Sequence, residues 1–262
     1  MKLHFRFADR NAEQTVLLLH GFMGHSSDWQ VVAAAIENRF NVLSVDLPGH
    51  GNSLIGKDET RHGAQTFFDE LNRLLERLAL TRVHVLGYSM GGRLALQWAL
   101  AYPDRIERLV MESVNPGIAN IAERELRWQN DLALSRKMQS SDFEFKTFLE
   151  KWYRQALFAN LHRHPHFNHL MKRRLQNNPT QLALALRAFS VGRQESLWPK
   201  LAEITQPVLL IVGALDQKYV NISAEMQSRN SDFKREVAPG CGHNVHFEND
   251  RWFVHRVMAF LT

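Results

Sequence analysis

Short apolar runs alternate with longer amphipathic segments along most of the chain. The apolar runs predict β-strands at residues 15–19, 40–45, 83–86, 106–111, 208–212 and 234–238. The amphipathic segments predict helices at residues 27–36, 64–78, 90–102, 225–229 and 252–261. Strands spaced by helices are typical of an α/β fold in which helices flank both faces of a mostly parallel central sheet.

The alternation is interrupted between residues 115 and 201, where no strand pattern occurs. Helices are predicted there at residues 122–137, 143–153, 167–175 and 181–191. Ligands bind at the carboxyl edge of the strands in open α/β sheets, so inserted helices at this point would cover the site. We therefore divide the chain into a core of residues 1–114 and 202–262 and a helical lid of residues 115–201.

Composition narrows the possible classes of protein. The 262 residues are 45% hydrophobic and 23% charged, which is typical of a globular domain with one core and an insertion. No apolar run approaches the roughly 20 residues of a membrane helix, and the first residues contain no apolar signal core. The single cysteine, Cys241, permits no internal disulfide. These features predict a cytoplasmic protein without membrane contact, and we expect a monomer.

The net charge of +5 is compatible with several kinds of ligand. The basic residues are spread along the chain, and the densest cluster, Lys172-Arg173-Arg174, has no recognised nucleic-acid module around it. We therefore predict no nucleic-acid binding and favour a small anionic substrate. A scattered, solvated basic surface is the alternative.

The strongest motif is Gly87-Tyr88-Ser89-Met90-Gly91, which has the form G-x-S-x-G. It follows a predicted strand and opens a predicted helix, the context in which such a serine is raised on a sharp turn as a nucleophile. The glycines leave room for that turn, and the helix directs its positive end at the serine. A glycine-rich turn with an incidental serine is the less favoured alternative.

A serine hydroxyl needs a histidine to take its proton and an acid to orient that histidine. In the order serine, acid, histidine, the candidates after Ser89 are Asp216 and His243, each just beyond a predicted strand. Asp46 also follows a strand, but it precedes the serine. The other histidines considered are interpreted as structural or solvated, or as too late in the chain: His4, His50, His62, His162, His164, His166, His169, His246 and His255.

Backbone N–H groups near Ser89 are candidates for an oxyanion hole. The loop that begins at His20-Gly21 can direct the Phe22 N–H toward Ser89, and the Met90 N–H is the second expected donor. A simple turn is the alternative for this loop. Cys241 is interpreted as a small packed residue, and without a metal-binding motif we predict neither a metal nor another cofactor.

These motifs resemble the α/β-hydrolase superfamily over the whole chain, and more narrowly the 2-succinyl-6-hydroxy-2,4-cyclohexadiene-1-carboxylate synthases of menaquinone biosynthesis. The superfamily motifs are Leu19-His20-Gly21-Phe22, the segment 46–53, Gly87-Tyr88-Ser89-Met90-Gly91, Gly213-Ala214-Leu215-Asp216 and Gly242-His243. The narrower signals are Tyr88, Gly92-Arg93, Trp152-Tyr153-Arg154-Gln155, Leu215-Asp216-Gln217-Lys218-Tyr219 and Gly242-His243-Asn244-Val245-His246.

The narrower resemblance implies a lyase that eliminates pyruvate from 2-succinyl-5-enolpyruvyl-6-hydroxy-3-cyclohexene-1-carboxylate. It implies that Ser89 and His243 act together as the base and that the oxyanion hole holds the charge that develops on the succinyl ketone. It also implies that Arg93, Arg127 and Arg174 bind substrate carboxylates, for which the guanidinium fork is suited. By the same resemblance, Tyr88 and Trp152 shape the pocket.

Two other functions remain open at this point. Ser89 is equally suited to covalent catalysis in a carboxylesterase or a C–C bond hydrolase, and the Ser-Met-Gly-Gly sequence also occurs in C–C hydrolases. A ligand receptor on the same fold is the third hypothesis, although receptors of this kind often lack a triad member. For Arg127 and Arg174, solvated helix faces and the neighbouring Arg173 are competing interpretations.

Overall fold

The structure, a computed structural model, describes residues 2–61 and 63–262. The strands are β1 (Phe5–Ala8), β2 (Thr15–Leu19), β3 (Asn41–Val45), β4 (Val83–Tyr88), β5 (Ile106–Glu112), β6 (Val208–Gly213) and β7 (Lys234–Ala238). They form one sheet in the order β1-β3-β2-β4-β5-β6-β7, and all neighbours are parallel except β1, which is antiparallel to β3. The carboxyl ends of β2 to β7 therefore share one edge of the sheet.

Ten α-helices occur in the described residues. They are α1 (Gln30–Ile36), α2 (Ala64–Arg77), α3 (Met90–Ala101), α4 (Ile121–Lys137), α5 (Phe145–Tyr153), α6 (Phe167–Arg174), α7 (Pro179–Phe189), α8 (Gln217–Arg229), α9 (Val245–Glu248) and α10 (Asp250–Leu261). Short 3₁₀ turns cover Ser26–Trp29, Asp58–Arg61, Pro103–Arg105, Ala156–Phe158, Leu161–Arg163 and Trp198–Glu203.

Helices cover both faces of the sheet, which explains why the central strands are continuous apolar runs. Every residue of β2, β4 and β6 is buried. On one face α2 and α3 contribute Phe67 and Leu94 to the core, and on the other face α1 and α10 contribute Val32 and Phe253. The buried apolar area on the two faces is the main stabilising contribution of the fold.

Helices α4 to α7 lie between β5 and β6 and have an apolar cluster of their own. Leu149, Leu161 and Leu170 belong to this third cluster. Helix α7 joins the cluster to the core, because its Leu182 packs in the third cluster while Leu184 packs in the cluster under α2 and α3. One amphipathic helix therefore anchors the inserted segment over the sheet.

The predicted strands agree with the observed ones within two residues at each end. The prediction of a short element at residues 225–229 was wrong, because α8 begins eight residues earlier at Gln217. Its first eight residues mix polar and apolar side chains, and the Asp216 side chain caps the start of the helix. Helix α9 was not predicted, since its four residues are too few to show a periodicity.

Other sequence predictions concern single residues and absences. Cys241 is buried as predicted, whereas His62 lies outside the described residues. In the part of the chain that the structure describes, no helix is both long and apolar enough to span a bilayer, and no cluster of three His, Cys, Asp or Glu side chains could hold a metal ion.

Candidate active site

The turn between β4 and α3 holds Ser89 in a strained backbone conformation. Its φ is +49°, a region that L-residues seldom adopt. The neighbouring glycines make the turn possible. A Cβ at Gly91 would lie 2.3 Å from the Leu19 carbonyl oxygen, and a Cβ at Gly92 would lie 2.2 Å from Val114 Cγ2. The turn therefore needs glycine at these positions, and it raises Ser89 at the carboxyl edge of the sheet.

The three predicted triad side chains lie in one hydrogen-bonded line. His243 Nε2 is 3.2 Å from Ser89 Oγ, and His243 Nδ1 is 2.7 Å from Asp216 Oδ2. Asp216 follows β6 and His243 follows β7, so both meet Ser89 at the same edge of the sheet. The carboxylate keeps a proton on Nδ1 and leaves Nε2 free to accept the serine proton. Asp46, the earlier rival, instead accepts hydrogen bonds from His4 Nδ1 and two backbone N–H groups.

The candidate oxyanion hole lies between the loop after β2 and the start of α3. In the described residues, neither the Phe22 N–H nor the Met90 N–H donates to a protein acceptor, and both residues line the same cavity as Ser89. His20 fixes the loop: its Nε2 accepts from the Leu47 N–H, and its Nδ1 donates to the Gly21 carbonyl oxygen. Burial lowers the pKa of His20 to about 4, so this ring is neutral near pH 7.

A cavity of about 230 Å³ opens above Ser89. All predicted site residues line it except Asp216, which lies behind His243. Aromatic rings from the lid form one wall, and the Trp152 ring lies 5.8 Å from that of Phe22. The cavity is therefore lined by residues that precede the inserted segment in sequence, by residues within it and by residues that follow it.

Arg93 lies on the first turn of α3 with its charge in a buried setting. Its two terminal nitrogens donate to the Gln194 side chain and to the Phe189 carbonyl oxygen at 2.7 and 2.8 Å. Burial lowers the pKa of Arg93 to about 10. Among the described residues it forms no ion pair, so its charge is available for an anionic ligand.

Arg127 lies on α4 and is held by a carboxylate of the same helix. Its Nε lies 2.9 Å from both carboxylate oxygens of Asp131, and Asp131 also accepts from Ser190 Oγ at 2.6 Å. The Arg127 side chain remains 46% exposed. The single Nε contact leaves both terminal nitrogens of Arg127 without a protein acceptor in the described part of the chain.

Arg174 has partners that the sequence did not indicate. Its terminal nitrogens contact both carboxylate oxygens of Asp28 at 2.9 and 2.7 Å, and its Nε donates to the Tyr153 hydroxyl at 2.9 Å. Burial alone would raise the pKa of Asp28, but Arg174 and Arg173 hold it well below its ordinary value. Asp28 lies 146 residues away in sequence, so no local pattern could reveal this pair.

Two further residues of the motif around Asp216 also line the cavity, and the sequence assigned neither of them a role. The Tyr219 ring lies 4.6 Å from the His243 ring, and burial raises the pKa of its hydroxyl. Lys218 lines the cavity and, within the described residues, forms no ion pair. Their position directly after the triad acid, at the start of α8, is the signal that would have identified them.

Comparison with known proteins places this site in a family. Residues 14–250 match the model of the α/β hydrolase fold. A Bacillus subtilis protein provisionally named 2-succinyl-6-hydroxy-2,4-cyclohexadiene-1-carboxylate synthase is 34% identical over 96% of this chain and 92% of its own length. The chain belongs to the 2-succinyl-6-hydroxy-2,4-cyclohexadiene-1-carboxylate synthase family of α/β-hydrolase-fold proteins.

Other members of this synthase family extend the similarity. The 2-succinyl-6-hydroxy-2,4-cyclohexadiene-1-carboxylate synthase of Serratia proteamaculans is 31% identical over 94% of this chain and 92% of its own length. The solved structure of MenH from S. aureus is 30% identical, covers 98% of this chain and 97% of its own, and superposes with a TM-score of 0.93. The expected fold class and family are thereby confirmed.

Proposed function

We propose that this protein eliminates pyruvate from 2-succinyl-5-enolpyruvyl-6-hydroxy-3-cyclohexene-1-carboxylate to give 2-succinyl-6-hydroxy-2,4-cyclohexadiene-1-carboxylate, a step of menaquinone biosynthesis. The observation that carries the proposal is a complete Ser89–His243–Asp216 line inside a cavity that four cationic side chains share. These are Arg93, Arg127, Arg174 and Lys218. Arg127 pairs with Asp131 and Arg174 with Asp28, so the charges of Arg93 and Lys218 have no ion pair in the described residues. These two charges, with the free N–H groups of the other two arginines, favour a substrate with several carboxylates.

The positions of the double bonds define the chemistry. The substrate has one ring double bond at carbon 3, and the product has two at carbons 2 and 4. The hydrogen on ring carbon 2 must leave, its electron pair must form a double bond to carbon 3, and the existing double bond must move to carbon 4. The C–O bond at carbon 5 then breaks, and the departing enolpyruvate takes up a proton to become pyruvate.

Ser89 and His243 supply the base for this step. The hydrogen on ring carbon 2 lies next to the succinyl ketone, so its removal places negative charge on the ketone oxygen. Ser89 Oγ takes the proton as it gives its own to His243 Nε2, 3.2 Å away. Asp216 stabilises the histidine cation that results. No covalent bond between Ser89 and the substrate is required.

The Phe22 and Met90 N–H groups would hold the ketone oxygen as charge develops on it. They are backbone donors of a fixed loop and a helix start, so they need no reorganisation during the reaction. Arg93 forms no ion pair in the described residues, and the terminal nitrogens of Arg127 have no protein acceptor there. Both arginines would bind carboxylates of the substrate. Arg174 would do so with the N–H groups that Asp28 and Tyr153 leave free.

The test is an assay of pyruvate release in which the precursor is generated enzymatically in the same reaction mixture. The product should absorb more strongly than the substrate, because its diene is conjugated with the ketone. Arg93→Met should raise KM by about tenfold or more, the effect of one lost charge-assisted contact, and should leave the hydrolysis of a neutral p-nitrophenyl ester unchanged. Arg187→Met, which removes an exposed lid cation outside the cavity, is the matched control.

A serine hydrolase would give the opposite pattern. Fast ester turnover without pyruvate release, and no effect of Arg93→Met, would refute the lyase proposal and favour an esterase or C–C hydrolase that uses Ser89 covalently. A monomeric state and a cytoplasmic location remain predictions of the sequence.

A further inference from the structure

The end of β5 forms hydrogen bonds to the backbone of two triad residues, Ser89 and His243. The Glu112 carbonyl oxygen accepts a hydrogen bond from the Ser89 N–H at 2.9 Å. Ser113, which directly follows with a φ of +51°, donates from its hydroxyl to the His243 carbonyl oxygen at 2.8 Å. Two consecutive residues therefore connect the backbone of the nucleophile turn to the backbone of the histidine loop.

The Glu112 carboxylate adds a second connection to the same loop. Its Oε1 accepts from the His246 N–H at 3.0 Å, and its Oε2 is 2.6 Å from His246 Nδ1. The Glu112 side chain is fully buried and that of His246 is 3% exposed. A carboxylate in such a place is costly unless it is paired and hydrogen-bonded, so the site depends on both contacts.

The His246 ring lies under the cavity wall. It stacks on Trp29 with ring centroids 4.2 Å apart, and it meets Tyr88 edge-on at 5.0 Å. Tyr88 precedes the nucleophile and lines the cavity. Any movement of the His246 ring would therefore also displace the support of Tyr88.

We propose that Glu112, through its pair with His246, is a positioning residue that sets the distance between His243 and Ser89. Glu248 also holds the histidine loop, accepting from the Gly242 and Asn244 N–H groups, but it lies in the same segment and cannot fix the loop relative to Ser89. The 3.2 Å separation of His243 Nε2 and Ser89 Oγ is already at the long end of the hydrogen-bond range. A small shift of the loop would thus break the proton path.

For the reaction itself this inference rests on the proposed function, but the geometry serves any chemistry that uses Ser89. The test therefore has two readouts: pyruvate release, and the rate at which an organophosphonate labels Ser89. Labelling needs the serine and the histidine in contact and does not involve the cyclohexene substrate. A wild-type protein that is labelled but releases no pyruvate would refute the proposed function and leave the test of Glu112 intact.

The decisive variants act on the two sides of the buried pair. The two variants are Glu112→Ala and His246→Phe, and phenylalanine keeps a ring but lacks the Nδ1 donor. Each variant should lower both kcat and the labelling rate by about 100-fold, which is the effect of a misplacement of about 1 Å. KM should change by no more than about threefold, because neither residue touches the substrate. Glu112→Gln retains an acceptor for the His246 N–H and should restore the labelling rate to within about tenfold of wild type.

Asn41→Ala is the matched control. The Asn41 side chain is buried, bonds the backbone of Arg10 and Ala12, and lies at the opposite edge of the sheet at the start of β3. It should lower the unfolding temperature without slowing the labelling. The proposal is overturned if Glu112→Ala and His246→Phe are labelled at the wild-type rate. It is also overturned if Asn41→Ala slows labelling as much as they do at an equal loss of stability.

Discussion

The nucleophile turn and the lid hold their functional side chains by different physical means. Ser89 is positioned by backbone geometry that neighbouring glycines make possible. Arg174 in the lid is positioned by Asp28, a charge on a remote segment of the core. Backbone-determined geometry depends on residues that are adjacent in sequence, whereas a charge pair depends on the assembled fold. The two regions should therefore respond differently to substitution.

The largest effect is expected at the nucleophile itself. Ser89→Ala removes the proton path to His243 and should lower kcat by about 10⁴-fold or more, with little change in the free energy of unfolding. Pyruvate release and urea unfolding measure the two quantities. Ser89→Ala/His243→Ala should be no slower than either single variant, because the two side chains act as a unit. An additive loss in the double variant would contradict the shared role.

The next largest effect concerns the lid charge pair. Arg174→Met leaves Arg173 as the ion-pair partner of the buried Asp28 carboxylate, and it should cost about 3–5 kcal/mol of folding free energy. Arg127→Met should cost less, about 1–2 kcal/mol, while raising KM, because Arg127 is 46% exposed and its partner Asp131, 8% exposed, keeps the hydrogen bond from Ser190 Oγ. Chemical unfolding of both variants makes the comparison. Equal stability losses would show that burial does not distinguish the two arginines.

A smaller effect on stability is expected at Gly240, where an added Cβ enters open space, than at Gly92, where it meets other atoms. Gly92→Ala would force a Cβ against Val114 and the Gly87 carbonyl oxygen, and it should cost about 3 kcal/mol or more. Gly240→Ala has a φ of +69° but no atom within 4 Å of the added Cβ, so about 1 kcal/mol of backbone strain is expected. Thermal unfolding should rank Gly92→Ala well below Gly240→Ala, and the reverse ranking would contradict the packing at the turn.

The smallest predicted effect is a loss of stability in mild acid. Burial lowers the pKa of His20 and His84 to about 4 and that of His50 to about 3. Below pH 6.5 the unfolded chain binds protons that these folded rings cannot accept, so stability falls as the pH drops from 6.5 toward 4. At pH 6 each histidine should contribute less than about 1 kcal/mol.

Urea unfolding at pH 7.5 and pH 6 measures this loss. His84 is the useful variant because both of its ring nitrogens are buried without a hydrogen-bond partner in the described residues, and it lies away from the candidate site at the start of β4. His84→Leu should make stability less dependent on pH. An unchanged pH dependence would mean that this ring does not titrate in the unfolding equilibrium.

The core and the triad were predictable because their signals are local. The apolar runs gave β2 to β7 to within two residues but not the edge strand β1, and the strand–turn–helix context marked Ser89. Asp216 and His243 followed from their order along the chain and from their positions after strands. Parallel strands end at a common edge, so these three residues had to meet there.

The missed features depend on contacts between distant segments. Asp28 and Tyr153 were not recognised as partners of Arg174, and His246 was set aside as too late in the chain although it pairs with Glu112 in the core. Helix α8 was predicted too short because Asp216 was not recognised as the residue that caps its start. The two side-chain pairs join residues that no local periodicity relates, whereas the start of α8 is set by a local cap.

The central claim is that Ser89 and His243 remove a ring proton to expel pyruvate. The most direct measurement is the rate of pyruvate release from a precursor deuterated at ring carbon 2, compared with the protiated precursor, in wild type and in Ser89→Ala. The account predicts slower release from the deuterated precursor in wild type, because the bond to the hydrogen on ring carbon 2 breaks in the step that Ser89 and His243 catalyse, and release by Ser89→Ala that is slower by about 10⁴-fold or more. Equal rates of release from the two precursors in wild type, or wild-type rates of release without Ser89, would contradict it.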